Sequence, residues 1–518
     1  MKQNITKSTL VVLASMATLA LGSCTAGFES INDPREKANA ELLGRDNYNV
    51  TSFIANIQDA SFPQQENQAQ MTNDLIGRYL GRYFTYTVGG WNGKSFATFN
   101  APEGWVRWPY RNMIPKIVAN FNDIKRLAGD NYAEDLNYNW ALITRAHSFL
   151  QMTDIYGPLP LGLDPANPNA YNSQEFIYKQ LIADLDKAIA YIDASKVGVV
   201  AALKNTDEFY GGDFAKWRRF ANSLKLRMAV RMRQVAPAYA KEVAEKAVQD
   251  GVIESNSDNL VRYYNPLGIY KTSVEWGDSR LCADLDSYMN GYNDPRLAKY
   301  FKPAADYTVR PIIGALAGSN IGNKDIAVKL YSAANVERTS GEPFVTAAEM
   351  YFCRAEGALY GWAMNGDAQT MYESGVKASF EQWGAGDATA YLANSTAQPA
   401  AYTDATGGYG SSLTAPSTIT VAWNASATQE LNLERIITQK WIALFPNGQE
   451  GWTEIRRTGY PKIFDIQTSK NGYTLRTPNR VPFDSEEKVN NPAAYNAGVA
   501  LLGGADNYAT PMWWDRTN

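Results

Sequence analysis

The chain has 518 residues, 45% of them hydrophobic and 20% charged, so it can bury a large core, and its length alone would favour several domains. Its net charge of −4 argues against a nucleic-acid-binding protein, because such proteins usually carry a basic excess. The 31 tyrosines and 13 tryptophans suit a packed core, a protein interface or a surface on which sugars stack, and composition does not choose among these.

The N-terminus predicts export and lipid anchoring. Two lysines precede a mostly apolar run, Leu10–Leu21, which is too short to span a bilayer. The run ends in LGSC at residues 21–24, which resembles the bacterial lipobox, so we expect a signal peptide at 1–23 and a lipid on the Cys24 thiol. The alternative is an ordinary secretory signal whose cysteine is incidental. Thr25 stands where an aspartate would be the usual inner-membrane retention signal, which favours the outer membrane.

Residues 24–49 are predicted to be a tether, and a single domain is expected from 50 to 518. Since no later segment has the roughly 18 apolar residues of a membrane helix, we expect attachment to the membrane through the lipid alone. A first helix is predicted at Asn73–Phe84. The stretch Thr85–Pro102 is rich in glycine and aromatic residues and has no helical period, which predicts a loop.

Apolar residues at steps of three and four then predict a series of helices. A cap is predicted at Asn172, because Glu175 follows three residues later, and another at Asp213. The predicted helices cover 113–124, 140–156, a segment after the first cap that reaches Ile192, a segment after the second cap that reaches Met228, and 238–249.

Two insertions interrupt the helical pattern. Periodicity is lost at about 253–342, and a connector of this length inside one domain is usually functional or bound to a partner. Helices are predicted again at 344–360 and 367–383. A second insertion, at 384–426, is rich in glycine, serine, threonine and alanine, and residues 462–518 are predicted to be mostly irregular.

The stretch Glu434–Pro461 predicts a helix–turn–helix unit. Apolar residues in its first half form one stripe, and Pro446–Gly448 end that helix. A second, short helix follows, with Trp452 and Ile455 on its inner side. The residues predicted to lie off that side are Glu454, Arg456 and Arg457.

These patterns predict a mainly α fold in which neighbouring helices pair. Small residues would let two helices approach closely in a way that resembles tetratricopeptide packing, although the irregular spacing excludes a regular array. The insertions are expected to collect on another side and to form a large, loop-rich half. The small residues at the clearest crossing are Ala347, Ala348, Ala355 and Ala358.

Several stretches, in order along the chain, resemble the SusD/RagB family of nutrient-binding outer-membrane lipoproteins. They cover nearly the whole mature chain, and their combination is more specific than any one of them. They are Leu21–Cys24, Arg145–Pro160 (RAHSFLQMTDIYGPLP), Ser173–Ile192, Gly212–Arg231, Asn293–Phe301 (NDPRLAKYF), Thr346–Gly361, Thr438–Tyr460, Arg480–Phe483 (RVPF) and Thr510–Asp515 (TPMWWD).

The resemblance implies an α-helical body with tetratricopeptide-like pairs and a less regular half that carries the ligand site. It also implies a non-enzymatic role at the cell surface, as a hinged lid over a TonB-dependent (SusC-like) transporter. Such a lid captures oligosaccharide or, in some members, peptide. The chain departs from the family in the insertion at 384–426, whose role the resemblance does not supply.

The sequence contains no familiar catalytic motif: GxSxG, HExxH, Walker and GxGxxG patterns are all missing. We interpret His147, the single histidine, as a packed structural residue. Glu349 and Glu356 share a helix face, and ion pairing or capping is favoured over glycoside hydrolysis. Without a CxxC motif no metal or cofactor site is predicted, and Cys282 and Cys353 form one disulfide or remain two buried thiols.

A sugar site needs flat apolar faces flanked by polar groups, and Trp91 fits best because it lies in a glycine-rich loop beside Asn92. The alternative for Trp91 is a loop anchor. The full set of predicted ligand residues is Trp91, Asn92, Tyr86, Phe96, Tyr270 and Trp276, with Tyr263, Tyr264 and Tyr331 behind them. The tryptophans predicted to be core are Trp105, Trp108, Trp140, Trp217, Trp441 and Trp452.

The basic segment from Lys216 to Arg233 is interpreted as a solvated helix face paired with acidic residues, and the alternative is a contact with the transporter. Three functions remain open from the sequence. The first is a glycan-binding lipoprotein that delivers its ligand to a transporter. The second is the same architecture with a peptide ligand, and the third is a surface glycoside hydrolase.

Overall fold

The helices follow the apolar periodicity along most of the chain. The computed structural model describes residues 48–64, 66–87, 93–164, 166–307, 309–319, 321–404 and 412–515, and those from Val50 onward belong to one compact unit. The described chain is mainly helical, which confirms the predicted fold class. Its α-helices are α1 (Tyr48–Ser61), α2 (Glu66–Ala69), α3 (Glu103–Ala128), α4 (Leu136–Tyr156), α5 (Gln174–Ser195), α6 (Phe214–Met232), α7 (Pro237–Asp250), α8 (Ala283–Gly291), α9 (Leu297–Tyr300), α10 (Lys324–Leu330), α11 (Ala347–Leu359), α12 (Ala368–Gln382), α13 (Thr389–Leu392), α14 (Gln429–Ala443), α15 (Gly448–Thr458), α16 (Glu487–Asn490) and α17 (Pro492–Leu502).

Short strands join segments that are distant in sequence. They are β1 (Phe84–Tyr86), β2 (Leu159–Pro160), β3 (Tyr171–Asn172), β4 (Leu260–Tyr263), β5 (Ser279–Leu281) and β6 (Gly341–Val345). Three antiparallel pairs result: β1 with β5, β2 with β3, and β4 with β6. Two further segments, Gln70–Arg78 and Tyr270–Glu275, are π-helical, and short 3-10 turns cover Gly129–Glu134, Ala201–Leu203 and Asn256–Asp258.

Helices adjacent in sequence pack in pairs, as predicted: α4 with α5, α6 with α7, and α11 with α12. Asp213 caps α6 by accepting hydrogen bonds from the backbone amides of Ala215 and Lys216. At α5 the cap is Ser173 and not Asn172, because Asn172 is held in β3 and the Ser173 hydroxyl accepts from the amide of Phe176.

The α14–α15 unit is buried more completely than its sequence pattern predicts. Every residue of α15 is buried, including Glu454, Arg456 and Arg457, so the prediction that these three lie off the inner side is wrong. The reason is a close approach to the π-helical segment 70–78. A Cβ added to Gly448 would come 2.3 Å from the Cα of Arg78, so only a glycine fits there.

The basic face of α6, which the sequence predicts to be exposed to solvent, is also partly buried. Arg227 donates to Glu349 at 2.6 Å, and Arg231 pairs with Asp154 and Glu450. The prediction of a solvated face therefore fails for the second half of α6, although the prediction of acidic partners is confirmed. We name this cluster of buried ion pairs the ionic core; its residues are Asp154, Arg227, Arg231, Glu349, Glu356, Lys440, Glu450, Glu454 and Arg457.

Several elements were not predicted from periodicity. The segment 253–342 contains β4, β5, α8 and α10, and the C-terminal segment contains α17. The helix predicted at 73–84 is instead a π-helical segment followed by β1. Short helices of this kind carry too few turns for a clear apolar stripe, which is why periodicity does not reveal them.

Both described cysteines, Cys282 and Cys353, are buried and unpaired, so the thiol alternative is confirmed over the disulfide. Burial raises the pKa of Cys353 to about 12. Across the described ranges, no helix combines the length and the apolar character that a membrane crossing requires.

Candidate functional site

The pairing of β1 with β5 brings two of the predicted ligand regions together. Tyr86 lies opposite Ser279, and the amide of Thr87 donates to the carbonyl of Asp278 at 2.9 Å. The chain that leaves β1 therefore starts beside the turn that contains Trp276. We name this turn, with the π-helical residues before it and the charged side chains around it, the β1–β5 platform; its residues are Tyr270, Lys271, Glu275, Trp276, Gly277, Asp278 and Lys324.

Trp276 is half-buried, and charged groups flank its ring. The ammonium group of Lys271 lies 5.2 Å from the ring centroid, a favourable cation–π distance. Lys271 also pairs with Glu275, and the guanidinium of Arg338 lies 3.1 Å from the second oxygen of that carboxylate. The hydrogen bond from Lys271 lowers the pKa of Glu275.

The other side of the turn is fixed by α10. Lys324 lies 2.5 Å from the Asp278 carboxylate, and a Cβ added to Gly277 would come 2.9 Å from Val328. Gly277 also has φ of +72°, so a larger residue would be strained as well as crowded. The turn that presents Trp276 is therefore held at both ends.

Arg280 places a further positive charge behind the turn. It is buried, and its guanidinium donates only to backbone carbonyls, those of Ser273, Ser279 and Val328. Burial lowers the pKa of Arg280 to about 10. The sequence reasoning missed Lys271, Asp278, Arg280 and Lys324, and the one available signal was the spacing of Lys271 and Glu275 by four residues in a segment that also carries Trp276.

The predicted aromatic residues divide into three groups. Trp91 and Asn92 lie outside the described residues. Tyr270 and Trp276 are half-buried. Tyr86 and Phe96 are only 5% and 1% exposed and pack in the hydrophobic core, so the placement of these two rings argues against direct stacking on a ligand.

The three tyrosines predicted behind the main set of ligand residues also differ in burial. Tyr263 is 72% exposed on β4, whereas Tyr264 and Tyr331 are buried. Of the tryptophans predicted to be core, Trp105 and Trp108 are half-buried. The buried ones are Trp140, Trp217, Trp441 and Trp452.

Two cavities formed by described residues lie away from the platform. One, of about 560 Å³, is lined by Gln174, Leu501 and Trp513, and another, of about 610 Å³, is lined by three tyrosines near α5. Neither includes Tyr270 or Trp276.

The carboxylates and histidine considered for catalysis are engaged elsewhere. Glu349 pairs with Arg227, and Glu356 pairs with Arg457, as the ion-pairing interpretation predicts. His147 is buried and stacks on Phe62 at 4.5 Å. Burial, together with Arg227 and Arg231, lowers the pKa of His147 well below its usual value, so the ring is neutral and packed.

Comparison with known proteins assigns the family. The family model described as SusD-like, the Susd and RagB outer membrane lipoproteins, matches residues 30–515, and the chain belongs to this family. No protein of curated function matches the chain significantly.

Solved structures of family members resemble this fold closely. A SusD homologue from Bacteroides thetaiotaomicron is 35% identical with a TM-score of 0.85, and the match covers 90% of this chain and 99% of that one. A chitin-binding SusD homologue from Flavobacterium johnsoniae is 36% identical with a TM-score of 0.85, over 91% and 99% of the two chains. A SusD homologue from Bacteroides uniformis is 35% identical with a TM-score of 0.84, over 91% and 100%.

Proposed function

We propose that this protein is a cell-surface lipoprotein that captures oligosaccharide and passes it to a partner TonB-dependent transporter of the outer membrane, for which it acts as a lid. The observation that carries the proposal is membership of a family of outer-membrane lipoproteins in which a relative 36% identical over 91% of the chain is described as chitin-binding. In this proposal residues 1–23 are the signal peptide, Cys24 carries the lipid, 24–49 is the tether, and 50–518 is the binding domain.

The β1–β5 platform is the proposed capture site. The half-exposed ring of Trp276 offers a flat apolar face on which the C–H groups of a sugar can stack, and Tyr270 offers a second. Lys271, Glu275 and Lys324 surround that face with hydrogen-bond donors and acceptors. Trp91 and Asn92 follow β1 in sequence, and we propose that they complete the site from the loop that begins beside Asp278.

The capture site is tested by calorimetric titration of the soluble mature protein with N-acetylchitohexaose and with a panel of plant, host and microbial oligosaccharides. Trp276→Ala is expected to weaken the best ligand at least tenfold, about 1.4 kcal/mol, because one stacking face is lost. Trp423→Ala is the matched control, since Trp423 is also half-buried but packs beside Tyr372 of α12. Equal losses of ligand affinity in the two variants would count against the platform as the capture site.

Ligand class and partner need separate experiments on the native membrane complex. Mass spectrometry of co-purified material is expected to find glycan, and a peptide would instead support the second ligand class. A TonB-dependent transporter is expected to co-purify, and its absence after mild solubilisation would count against the lid. Release of reducing sugar by the purified protein, abolished by one carboxylate substitution, would overturn the non-enzymatic assignment.

A further inference from the structure

A second cleft rich in aromatic residues lies between the 3-10 turn Gly129–Glu134 and the last turns of α5. Its volume is about 610 Å³, which falls within the range of small-molecule sites in proteins. Three tyrosines line it, Tyr132 from the turn, Tyr138 from the start of α4 and Tyr191 from α5, and each side chain is half-buried. The cleft shares no lining residue with the β1–β5 platform.

The α5 wall of the cleft follows helical spacing. Lys187, Ala190, Tyr191 and Ala194 lie three, four and seven residues apart, so they form one face of the helix. Ala190 and Ala194 are small and exposed, and Tyr191 beside them is half-buried and also packs against the hydrophobic core. Across the cleft, Tyr132 and Tyr138 meet edge to face, with ring centroids 4.9 Å apart.

The wall of the cleft that is formed by the 3-10 turn and the start of α4 is held in place by packing and hydrogen bonds. Asp135 caps α4 by accepting from the amide of Tyr138 at 2.8 Å. The side chain of Asn139 donates to the carbonyls of Ala133 and Asp135, which fixes the turn on the helix. Lys125 lies over the outer face of Tyr132, with its ammonium group 4.4 Å from the ring centroid. The opening is therefore built into the fold, and all the residues that line it lie within the described ranges.

The charges that line the cleft balance. Glu134 contributes one carboxylate and Lys187 one ammonium group, and Lys187 has only a long contact of 3.5 Å with Asp184. Burial, followed by Asp184 and Tyr132, raises the pKa of Tyr138 to about 12, so its phenol stays neutral and can both donate and accept hydrogen bonds. An anion would meet one opposite charge (Lys187) and one like charge (Glu134), and a cation would meet the reverse, so neither gains a net charge attraction from the lining, whereas a neutral ligand rich in hydroxyl groups can hydrogen-bond with both.

We propose that this tyrosine cleft is a second binding site for neutral oligosaccharide, with Tyr191 as the stacking ring and with Glu134 and Lys187 as hydrogen-bonding partners of the sugar hydroxyls. It would hold a second part of a long glycan, or a second chain, independently of the platform. The assignment does not depend on the capture site, because the two sites lie on different elements.

The test uses the mature chain carrying Trp276→Ala and Tyr270→Ala, so that the platform no longer contributes. Binding of N-acetylchitohexaose, maltohexaose, xylohexaose and mannohexaose is measured by NMR titration. At least one of these is expected to bind, and a further Tyr191→Ala substitution is expected to weaken it at least tenfold. Tyr191→Phe keeps the ring and is expected to stay within about threefold of the parent, because stacking carries most of the contact.

Charged probes sharpen the assignment. Fully deacetylated chitohexaose and hexagalacturonate are expected to bind this background no more tightly than the neutral hexamers, because each of them meets one like and one opposite charge in the lining of the cleft. Failure of all four neutral hexamers to bind would overturn the proposal, as would binding that survives Tyr191→Ala or a charged probe that binds more tightly. Since Tyr191 is half-exposed on a helix surface, thermal melting checks that each variant remains folded. The effect of Trp276→Ala alone tests the platform, and the effect of Tyr191→Ala in the doubly substituted chain tests the cleft. Either proposal can therefore be contradicted without the other.

Discussion

The ionic core and the β1–β5 platform contain the same kinds of side chain in opposite surroundings. In the ionic core, Arg457 bonds both Glu356 and Glu454, and all three are buried. In the platform, Lys271 is also buried, but its partner Glu275 beside Trp276 keeps 38% of its side chain exposed to solvent. What separates the two regions is that both partners of each ion pair are buried in the ionic core, whereas at least one partner of each pair in the platform is open to solvent.

The difference matters because a charge in the core has no water to replace its partner. Burial alone would raise the pKa of Glu454, but Arg457 and Lys440 lower it to about 2, so the carboxylate stays ionised. Ion pairs of this kind add little net stability compared with a well-packed apolar cluster, but breaking one leaves an uncompensated buried charge. Around Trp276, solvent can take over the role of a lost partner.

The largest expected effect comes from one substitution made in both regions, tryptophan to alanine. Trp441→Ala is expected to lower the free energy of unfolding by about 3–5 kcal/mol, because it opens a large cavity. It also leaves the carbonyl of Gly81 without its 2.8 Å hydrogen bond. Trp276→Ala is expected to cost about 1 kcal/mol or less. Denaturant titration measures both, and similar losses would remove the distinction between core and platform.

A buried ion pair gives the next comparison. Arg457→Ala is expected to cost about 3–5 kcal/mol, because Glu356 and Glu454 would stay buried without their shared partner. The control is Arg476→Ala, whose partner Asp465 lies 2.7 Å away with 80% of its side chain exposed, and the expected cost there is about 0–1 kcal/mol. Thermal unfolding of the two variants would contradict the argument if Arg476→Ala were the more destabilising.

Much of the fold could be predicted from the sequence, and the exceptions have a common cause. Helices α4–α7, α11, α12 and α14 were predicted because their apolar residues recur regularly over several turns. Periodicity assigned Glu454, Arg456 and Arg457 to the outside of α15, since charged residues on a helix normally face water. It cannot recognise a helix surrounded by the chain on all sides, where the charges pair with partners distant in sequence.

The candidate site was harder to predict for the same reason. Tyr86 and Phe96 belong to an irregular segment with no apolar stripe, so nothing in the pattern indicated that the core would enclose them. Trp276 is half-buried in the structure, and its predicted role in binding stays a prediction. Lys324, which pairs with Asp278 in the same turn, comes from a helix 46 positions further along the chain, a contact that only the fold reveals.

A glycine substitution tests the close approach that buries α15. Gly448→Ala is expected to cost about 1–3 kcal/mol, because the new methyl group would meet the backbone of Arg78 and helix α15 would have to shift. Gly104→Ala in α3 is the control, since an added Cβ there meets nothing within 4 Å. That variant is expected to be neutral or more stable by up to about 1 kcal/mol, because alanine favours the helix. Equal melting temperatures for the two variants would mean that α15 adjusts freely.

The smallest expected effect lies at the platform, in Lys324→Ala. The ion pair between Lys324 and Asp278 is partly open to water, with 34% and 14% of the two side chains exposed, so its loss is expected to cost less than about 1 kcal/mol of stability. Water can solvate the Asp278 carboxylate in the variant, which it cannot do for Glu356 in the ionic core. Denaturant titration of Lys324→Ala and Arg457→Ala, carried out side by side, compares their losses of unfolding free energy directly. A loss above about 2 kcal/mol would mean that the Lys324–Asp278 pair holds the turn against α10 as a structural element, and the platform would then belong energetically to the core.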